Sequence, residues 1–230
     1  MKRFILMVLI ISLSLAALVV SIEFNSYNKG FYIKSYEKYE IPKITNKSLD
    51  ELSSITDDII SYLKADGGDE LLSPHFNERE VLHMRDVQNL FDIARLIKTV
   101  SLLLIGFSLY YFYRVKQYKL LGKFLSFGLF INHGVFGIIG LLASIDFNKY
   151  FNYFHLIFFD NDLWILNPNT DLMIQMLPED FFMNMAFRIL LSFFVLLAIL
   201  QIVGYFLMKR GNVTYGKHSK KNEGIFYRKK

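Results

Sequence analysis

Cysteine is absent from the 230 residues of this chain. That excludes disulfides, thiolate-held zinc or iron–sulfur and any cysteine acyl-enzyme. It also removes the acceptor cysteine that a lipid-anchored protein would need for its own modification. Several familiar catalytic patterns are missing as well: there is no Gly-x-Ser-x-Gly elbow, no His-Glu-x-x-His and no glycine-rich phosphate loop. No internal repeat, low-complexity segment or glycine-zipper array is present.

What is present is apolar and blocked. Hydrophobic residues make up 53% of the chain, aromatic residues 17%, and the mean hydropathy is +0.30. Those values exceed what a soluble domain of this length carries, and the apolar residues come in runs. Lys2 and Arg3 precede an uncharged run from Phe4 to Ile22, read as a retained signal anchor. Further runs predict an all-α membrane protein with four transmembrane helices, at about 4–22, 97–113, 124–145 and 185–208, forming a single integral membrane domain over 1–230. Outer loops are expected over 23–96 and 146–184, with a tail at 209–230.

Charge assigns the sides. The N-terminus, the connection holding Arg114, Lys116, Lys119 and Lys123, and the C-terminal tail are rich in Lys and Arg and hold one acid, Glu223. The positive-inside rule therefore places both termini and that connection in the cytoplasm and the two long, acidic loops outside. A pI near 9.2 could point to nucleic acid. The location of the basic residues points instead to anionic lipid, so membrane lipid is expected as a partner and nucleic acid is not.

The first outer loop reads as a small folded cap. Phe31 to Ile41 mixes aromatic and charged residues as a short strand would, with Pro42 ending it. Ser48 and Glu51 form a capping box ahead of a helical stripe, Leu49, Leu52, Ile55, Ile59 and Leu63, which Gly67-Gly68 stops. The second loop is aromatic, as expected of chain lying in the outer interface. Pro178-Glu-Asp suits the first turn of the last helix.

Two stretches carry candidate chemistry. In the first, Asn77 caps a helix with Glu80 as the reciprocal partner and with Phe76 and Val81 at the staple positions. Glu80, His83, Val87 and Leu90 then share one stripe, with Asp86 beside His83, so either carboxylate could orient that imidazole. Taken alone, the stretch also fits an ordinary juxtamembrane helix with a solvated histidine. In the second, His155 sits among aromatic residues, which depress its pKa and keep it a neutral proton acceptor; an aromatic-belt histidine with no role fits equally. His75 is on the same outer side. His133, beside Asn132 in the third span, is the competing intramembrane candidate or a packing site, and His218 lies in the tail.

Asp160-Asn-Asp162 admits a metal clamp or a turn that caps the next segment. Arg85, Arg95, Lys98 and Arg188 near the outer boundary could hold lipid head groups or simply snorkel. A straight helix running back from Ile97 would lift His83 roughly 20 Å above the boundary, so the segment is expected to bend near Asp92 or to lie along the surface.

Glu78-Arg-Glu-x-x-His83-Met-Arg-Asp-Val resembles the Lit family of bacterial lipoprotein intramolecular transacylases. So do Phe154-His155-x-x-Phe-Phe-x-Asn-Asp-x-Trp164, Leu166-Asn-Pro-x-Thr-Asp-Leu and Pro178-Glu-x-Phe-Phe. The resemblance extends over essentially the whole chain. It implies an acyltransferase that moves the sn-2 acyl chain of a diacylglyceryl-cysteine lipoprotein to the α-amino group of the same cysteine, giving the lyso form. It implies His83 and His155 as the functional histidines. Glu80, Arg85, Asp86, Asn161, Asp162, Trp164 and Arg188 are the expected supporting or substrate-binding residues. No cofactor or metal is expected; the partners are diacylglyceryl-modified lipoproteins and membrane lipid, and the location is the cell membrane with the active site outside. A metal-dependent lipid hydrolase using His83, His155 and Asp160 or Asp162, and a non-catalytic membrane sensor or assembly protein, are the competing readings.

Overall fold

The computed structural model describes residues 1–226, with side chains to Arg210; the basic residues beyond Arg210 that were assigned to the lipid surface lie outside the described side chains. In order the chain forms α1 (Lys2–Ser26), α2 (Lys29–Lys38), α3 (Ile41–Thr45), α4 (Leu49–Leu63), a 3₁₀ turn (Asp69–Leu71), α5 (Glu78–Arg114), α6 (Tyr118–Gly128), α7 (Phe130–Ile145), α8 (Phe147–Phe158), α9 (Leu172–Met176) and α10 (Glu179–Phe226). Among the described residues there is no strand.

The expected strand at 31–41 is therefore a helix. Asn28 caps it by accepting from the Phe31 amide, and Tyr32, Ser35 and Tyr36 form its buried face. That three-and-four spacing overrides the mixed aromatic and charged pattern read as a strand. Both tyrosine hydroxyls find partners: Tyr32 donates to the Ser26 carbonyl (2.9 Å) and Tyr36 pairs with Thr56 on α4 (2.8 Å). Pro42 does not end a strand but sits in the first turn of α3, where its missing N–H costs nothing.

The capping box at Ser48 and Glu51 forms as expected. The end of α4 does not. The helix closes before the glycines, with Ala65 in the left-handed conformation (φ 61°). The Ala65 amide returns to the Tyr62 carbonyl and the Asp66 amide to Ser61, the reciprocal bonds that close a helix C-terminus.

Contacts divide the chain into two compact units. One comprises Val19–Ile97 and Ile138–Leu191. Its core gathers α2, α4, the start of α5, α9 and the start of α10, with Tyr36, Tyr62, Leu52, Leu72, Met176 and Phe181 among its most buried side chains. The other comprises Met1–Leu18, Lys98–Gly137 and Ser192 onward. It packs Leu6, Leu9, Phe112, Leu121 and Leu125 in one cluster and Ala17, Leu129, Phe193 and Leu197 in a second. Within it Gly122 of α6 and Gly204 of α10 let two backbones approach: a Cβ at Gly122 would fall 2.5 Å from the Gly204 carbonyl oxygen.

Among the described residues three stretches are long and apolar enough to cross a membrane: Lys2–Ser26, Tyr118–Ile145 (α6 and α7 together) and Glu179–Arg210. The remaining run, 97–113, is the second half of α5; Lys98 at its start and Tyr110, Tyr111 and Tyr113 at its end temper its apolarity, and it is not among the three. α5 runs on through Asp92 as one helix. Arg95 supports that turn, pairing with Asp92 and donating to the Leu63 carbonyl (2.7 Å).

Candidate active site

The start of α5 is built as the sequence predicts. The Asn77 side chain accepts from the Glu80 amide (3.1 Å), and the Glu80 carboxylate accepts from the Asn77 amide (2.8 Å). Phe76 and Val81 are both buried. The second Glu80 oxygen accepts from the amide of Met173 on α9 (2.6 Å), so one carboxylate joins the helix start to a segment more than ninety residues away. Burial pushes the Glu80 pKa up, and the two amide donors partly oppose that rise. Beside it, Asp171 accepts from the Asn77 side chain (3.1 Å), the Asn167 amide (2.7 Å) and the Thr170 hydroxyl (2.9 Å), which together hold its carboxyl below the usual range.

One turn further along α5 is His83, 8% exposed. Its Nδ1 is buried and has no hydrogen-bond partner among the described residues. Neither Glu80 nor Asp86 bonds to it. Glu80 is taken up by backbone amides, and Asp86 accepts from the Asn161 side chain (2.9 Å).

His155 occupies the last turn of α8, whose first turn is capped by Asp146. Much of the expected second outer loop is thus helix, because one face of α8 has something to bury: His155 is 7% exposed, while Leu156 and Ile157 stand outward. The His155 Nδ1 lies 2.7 Å from the Phe151 carbonyl. A carbonyl oxygen only accepts, so Nδ1 carries the proton and Nε2 presents the lone pair. Phe151 and Phe154 meet the ring edge-on, and Trp164 stacks on its face with centroids 4.7 Å apart.

The two imidazoles converge, with centroids 6.1 Å apart and planes inclined 35°. Phe159 packs against both rings. Burial, reinforced by the neighbouring His155 and opposed by Asp86, lowers the His83 pKa to about 4. Burial lowers that of His155 too, against the Phe151 carbonyl, which favours the charged form. Both rings are thus neutral at pH 7. Two neutral imidazoles, one with a fixed tautomer and one without, can exchange protons with a reacting group placed against them.

The other predicted residues divide. Asp86, Asn161, Asp162 and Trp164 lie around the pair. Arg85 instead donates to Asp69 (2.6 Å), and the Arg188 guanidinium sits 4.8 Å over the Phe31 ring. His75 pairs with Asp58 (2.9 Å). His133 bonds the Leu129 carbonyl one turn back (3.2 Å) and stacks on Phe194, as a packed intramembrane histidine does. The 160–162 segment forms a turn in which the Asn161 side chain accepts from the Leu163 amide (3.0 Å). Among the described residues no three His, Asp or Glu side chains gather as a metal site.

Sequence reasoning missed Arg79, which donates to the Asp162 carbonyl, and Asp171. It also missed Phe151, which matters through its backbone carbonyl. A ring four residues before a histidine on a helix is a weak cue for that bond.

Comparison with known proteins supplies the context. The family model described as lipoprotein intramolecular transacylase Lit matches residues 7–182. An in meso structure of the membrane-integral lipoprotein intramolecular transacylase Lit from Bacillus cereus superposes with a TM-score of 0.83 at 27% identity, covering 93% of this chain and 98% of that one. Two structures of that protein carrying a histidine-to-arginine or a histidine-to-alanine mutation superpose with TM-scores of 0.79 at 26% identity; each covers 93% of this chain, and 95% and 96% of its own. Among curated protein sequences no match is found. The buried histidine pair, the apolar helices and these similarities agree: the chain belongs to the Lit family of lipoprotein intramolecular transacylases, a family of membrane-integral acyltransferases.

Proposed function

We propose that the enzyme transfers the sn-2 acyl chain of a diacylglyceryl-cysteine lipoprotein to the α-amino group of that cysteine, and that His83 and His155 carry the protons. The observation that carries this reading is the pair itself: two buried neutral imidazoles 6.1 Å apart, one presenting a lone pair at Nε2 and the other with an unbonded Nδ1.

The chemistry needs both. An α-amino group has a pKa of about 7.7–8.0 and must lose a proton as it attacks the ester carbonyl. His155 Nε2 accepts that proton while the N–C bond forms. The tetrahedral oxyanion is stabilised by an N–H of neutral His83, an arrangement in which imidazole rather than imidazolium polarises the carbonyl. Collapse breaks the C–O bond to glycerol, and the departing oxygen takes a proton from His83. Among the described residues no hydrogen bond holds His83 Nδ1, so one ring nitrogen can give a proton while the other receives the one His155 holds. The balance is closed: an amide and a free hydroxyl replace an amine and an ester. Ester and amine belong to one molecule, so orientation replaces a covalent acyl-enzyme.

The reading has the chain cross the membrane four times, the second half of α5 being the fourth crossing, with both termini cytoplasmic and the pair on the outer face; the segregation of Lys and Arg into the short segments supports it. Leu156, Ile157, Phe158 and Ile165 stand exposed beside the histidines and suit the acyl chains of a substrate held in the membrane.

The test is expression in a bacterium whose lipoproteins are only diacylated, with mass spectrometry of their N-terminal peptides. Conversion to N-acyl, S-monoacylglyceryl cysteine is expected, and an unchanged acyl position would refute transfer. Normal lyso-form product from His155→Ala would refute the histidine assignment.

A further inference from the structure

Asp86 lies one turn beyond His83, yet its carboxylate is spent on Asn161, whose Nδ2 donates to it at 2.9 Å. One turn before His83, Arg79 donates to the Asp162 carbonyl, and its guanidinium is 3.4 Å from the Asp162 carboxylate. Positions 79, 83 and 86 share one face of α5. The turn at 160–164 is therefore tied to the helix on both sides of His83. Inside that turn Asn161 accepts from the Leu163 amide through its side chain (3.0 Å) and from the Trp164 indole N–H through its carbonyl (3.0 Å). The result is a face-on stack of the indole on His155, centroids 4.7 Å apart and planes inclined 24°.

Among the described residues His155 has one hydrogen bond, at Nδ1, which holds one edge of the ring and does not by itself set its plane. A flat neighbour against the face does. Phe151 and Phe154 approach edge-on, at 81° and 88°, while Phe159 and His83 lie tilted at 37° and 35° and further off, at 5.6 and 6.1 Å, so the indole is the flattest of these rings and nearer than either tilted one.

We infer that Trp164 is a positioning residue that holds His155 in plane, and that Asp86 serves the site by anchoring the Asn161–Trp164 turn rather than by orienting His83. The inference rests on the acyl-transfer reading for its consequence in rate, while the stack can be measured without it.

Trp164 is the chain's one tryptophan. The emission of the full-length protein in detergent therefore reports on the stack, because an imidazole in contact with an indole quenches it, weakly when neutral and strongly when protonated; the series is read at pH 7 and again as the pH is lowered. His155→Leu should raise the emission. Asp86→Leu and Asn161→Leu should move it toward the His155→Leu value, whereas Asp86→Asn should leave it near wild type, since its amide oxygen still accepts from Asn161. Emission unchanged by His155→Leu, or by both leucine variants at 86 and 161, would overturn the inference whether or not the enzyme turns over.

The same variants are then assayed on a synthetic diacylglyceryl-cysteine peptide with a free amine. Trp164→Leu is expected to lower kcat about 10²-fold, the scale of an ångström-sized misplacement, with KM little changed. Trp164→Phe, which keeps a flat face, should recover most of that loss, and Asp86→Asn most of the loss in Asp86→Leu. The double variant Asp86→Leu/Trp164→Leu should be no slower than Trp164→Leu alone, as expected of residues on one path. If Asp86→Asn is as slow as Asp86→Leu, the carboxylate charge acts on His83 and the inference fails. If Trp164→Leu raises KM at unchanged kcat, the indole is a lipid contact and the inference fails. A wild-type protein that transfers no acyl chain refutes the proposed function instead, and the emission series still decides the stack.

Discussion

The rings of His83 and His155 face one another with centroids 6.1 Å apart, although 72 positions separate them in the chain and they sit on different helices. Each imidazole is more than nine-tenths buried. Their environments differ in one decisive respect: the Phe151 carbonyl fixes the His155 tautomer, while His83 Nδ1 has no hydrogen-bond partner among the described residues.

This asymmetry shapes the pH dependence. Both histidines titrate below the ordinary imidazole value of 6.5, His83 at about 4. In the proposed mechanism the two histidines are then in their working form above pH 6.5, and the substrate amine dominates there. The logarithm of kcat/KM should rise with a slope of about one from pH 6.5 to 7, level off above about pH 8 as the amine loses its proton, and steepen only below 6.5. A slope already of roughly 1.7 at about pH 6 would show that an enzyme histidine titrates normally.

The same depression affects stability. Between about pH 6.5 and 4 the unfolded chain binds a proton at residue 83 that the folded chain does not. Stability therefore falls as pH drops through that window. His83→Leu should flatten this acid loss in a detergent melt from pH 7 to 4.5, and an unchanged slope would contradict the burial argument.

Glu80 is expected to matter for the fold. Its carboxylate satisfies the Met173 and Asn77 amides. Glu80→Ala strands both, at about 1–3 kcal/mol for each buried group left unpaired. A large drop in melting temperature is expected, and a melt within a degree or two of wild type would rule this role out.

Gly122 and Gly204 make a paired prediction. Gly122→Leu drives side-chain atoms into the α10 backbone, and overpacking of this kind costs about 1–3 kcal/mol. Gly106, in α5, has no neighbour within 4 Å of an added Cβ, so Gly106→Ala should leave the melt unchanged or raise it slightly.

At the end of α4, Ala65 holds a positive φ that glycine adopts freely. Ala65→Gly should stabilise the protein by up to about 1 kcal/mol, read as a higher melting temperature at unchanged activity.

Much of the local structure was legible in the chain. The reciprocal caps at Ser48–Glu51 and Asn77–Glu80 involve residues three positions apart, and both form as read. The apolar stripe of α4 is likewise a property of spacing. Phe31 to Ile41 reads as a strand because it mixes aromatic and charged residues. The helical face of Tyr32, Ser35 and Tyr36 shows only once α4 supplies a partner for the Tyr36 hydroxyl.

The sequence by itself determined the membrane character, the helical class, the family and the two histidines worth watching, because composition, runs of apolar residues and short motifs are one-dimensional. Only the tertiary structure decided who holds what. Glu80 and Asp86 stood beside His83 on their helix and were natural candidates to orient it; in the fold each is claimed by a distant segment, Glu80 by Met173 and Asp86 by Asn161. A buried carboxylate bonds the strongest donors within reach, and which donors are within reach is settled by packing rather than by spacing along the chain.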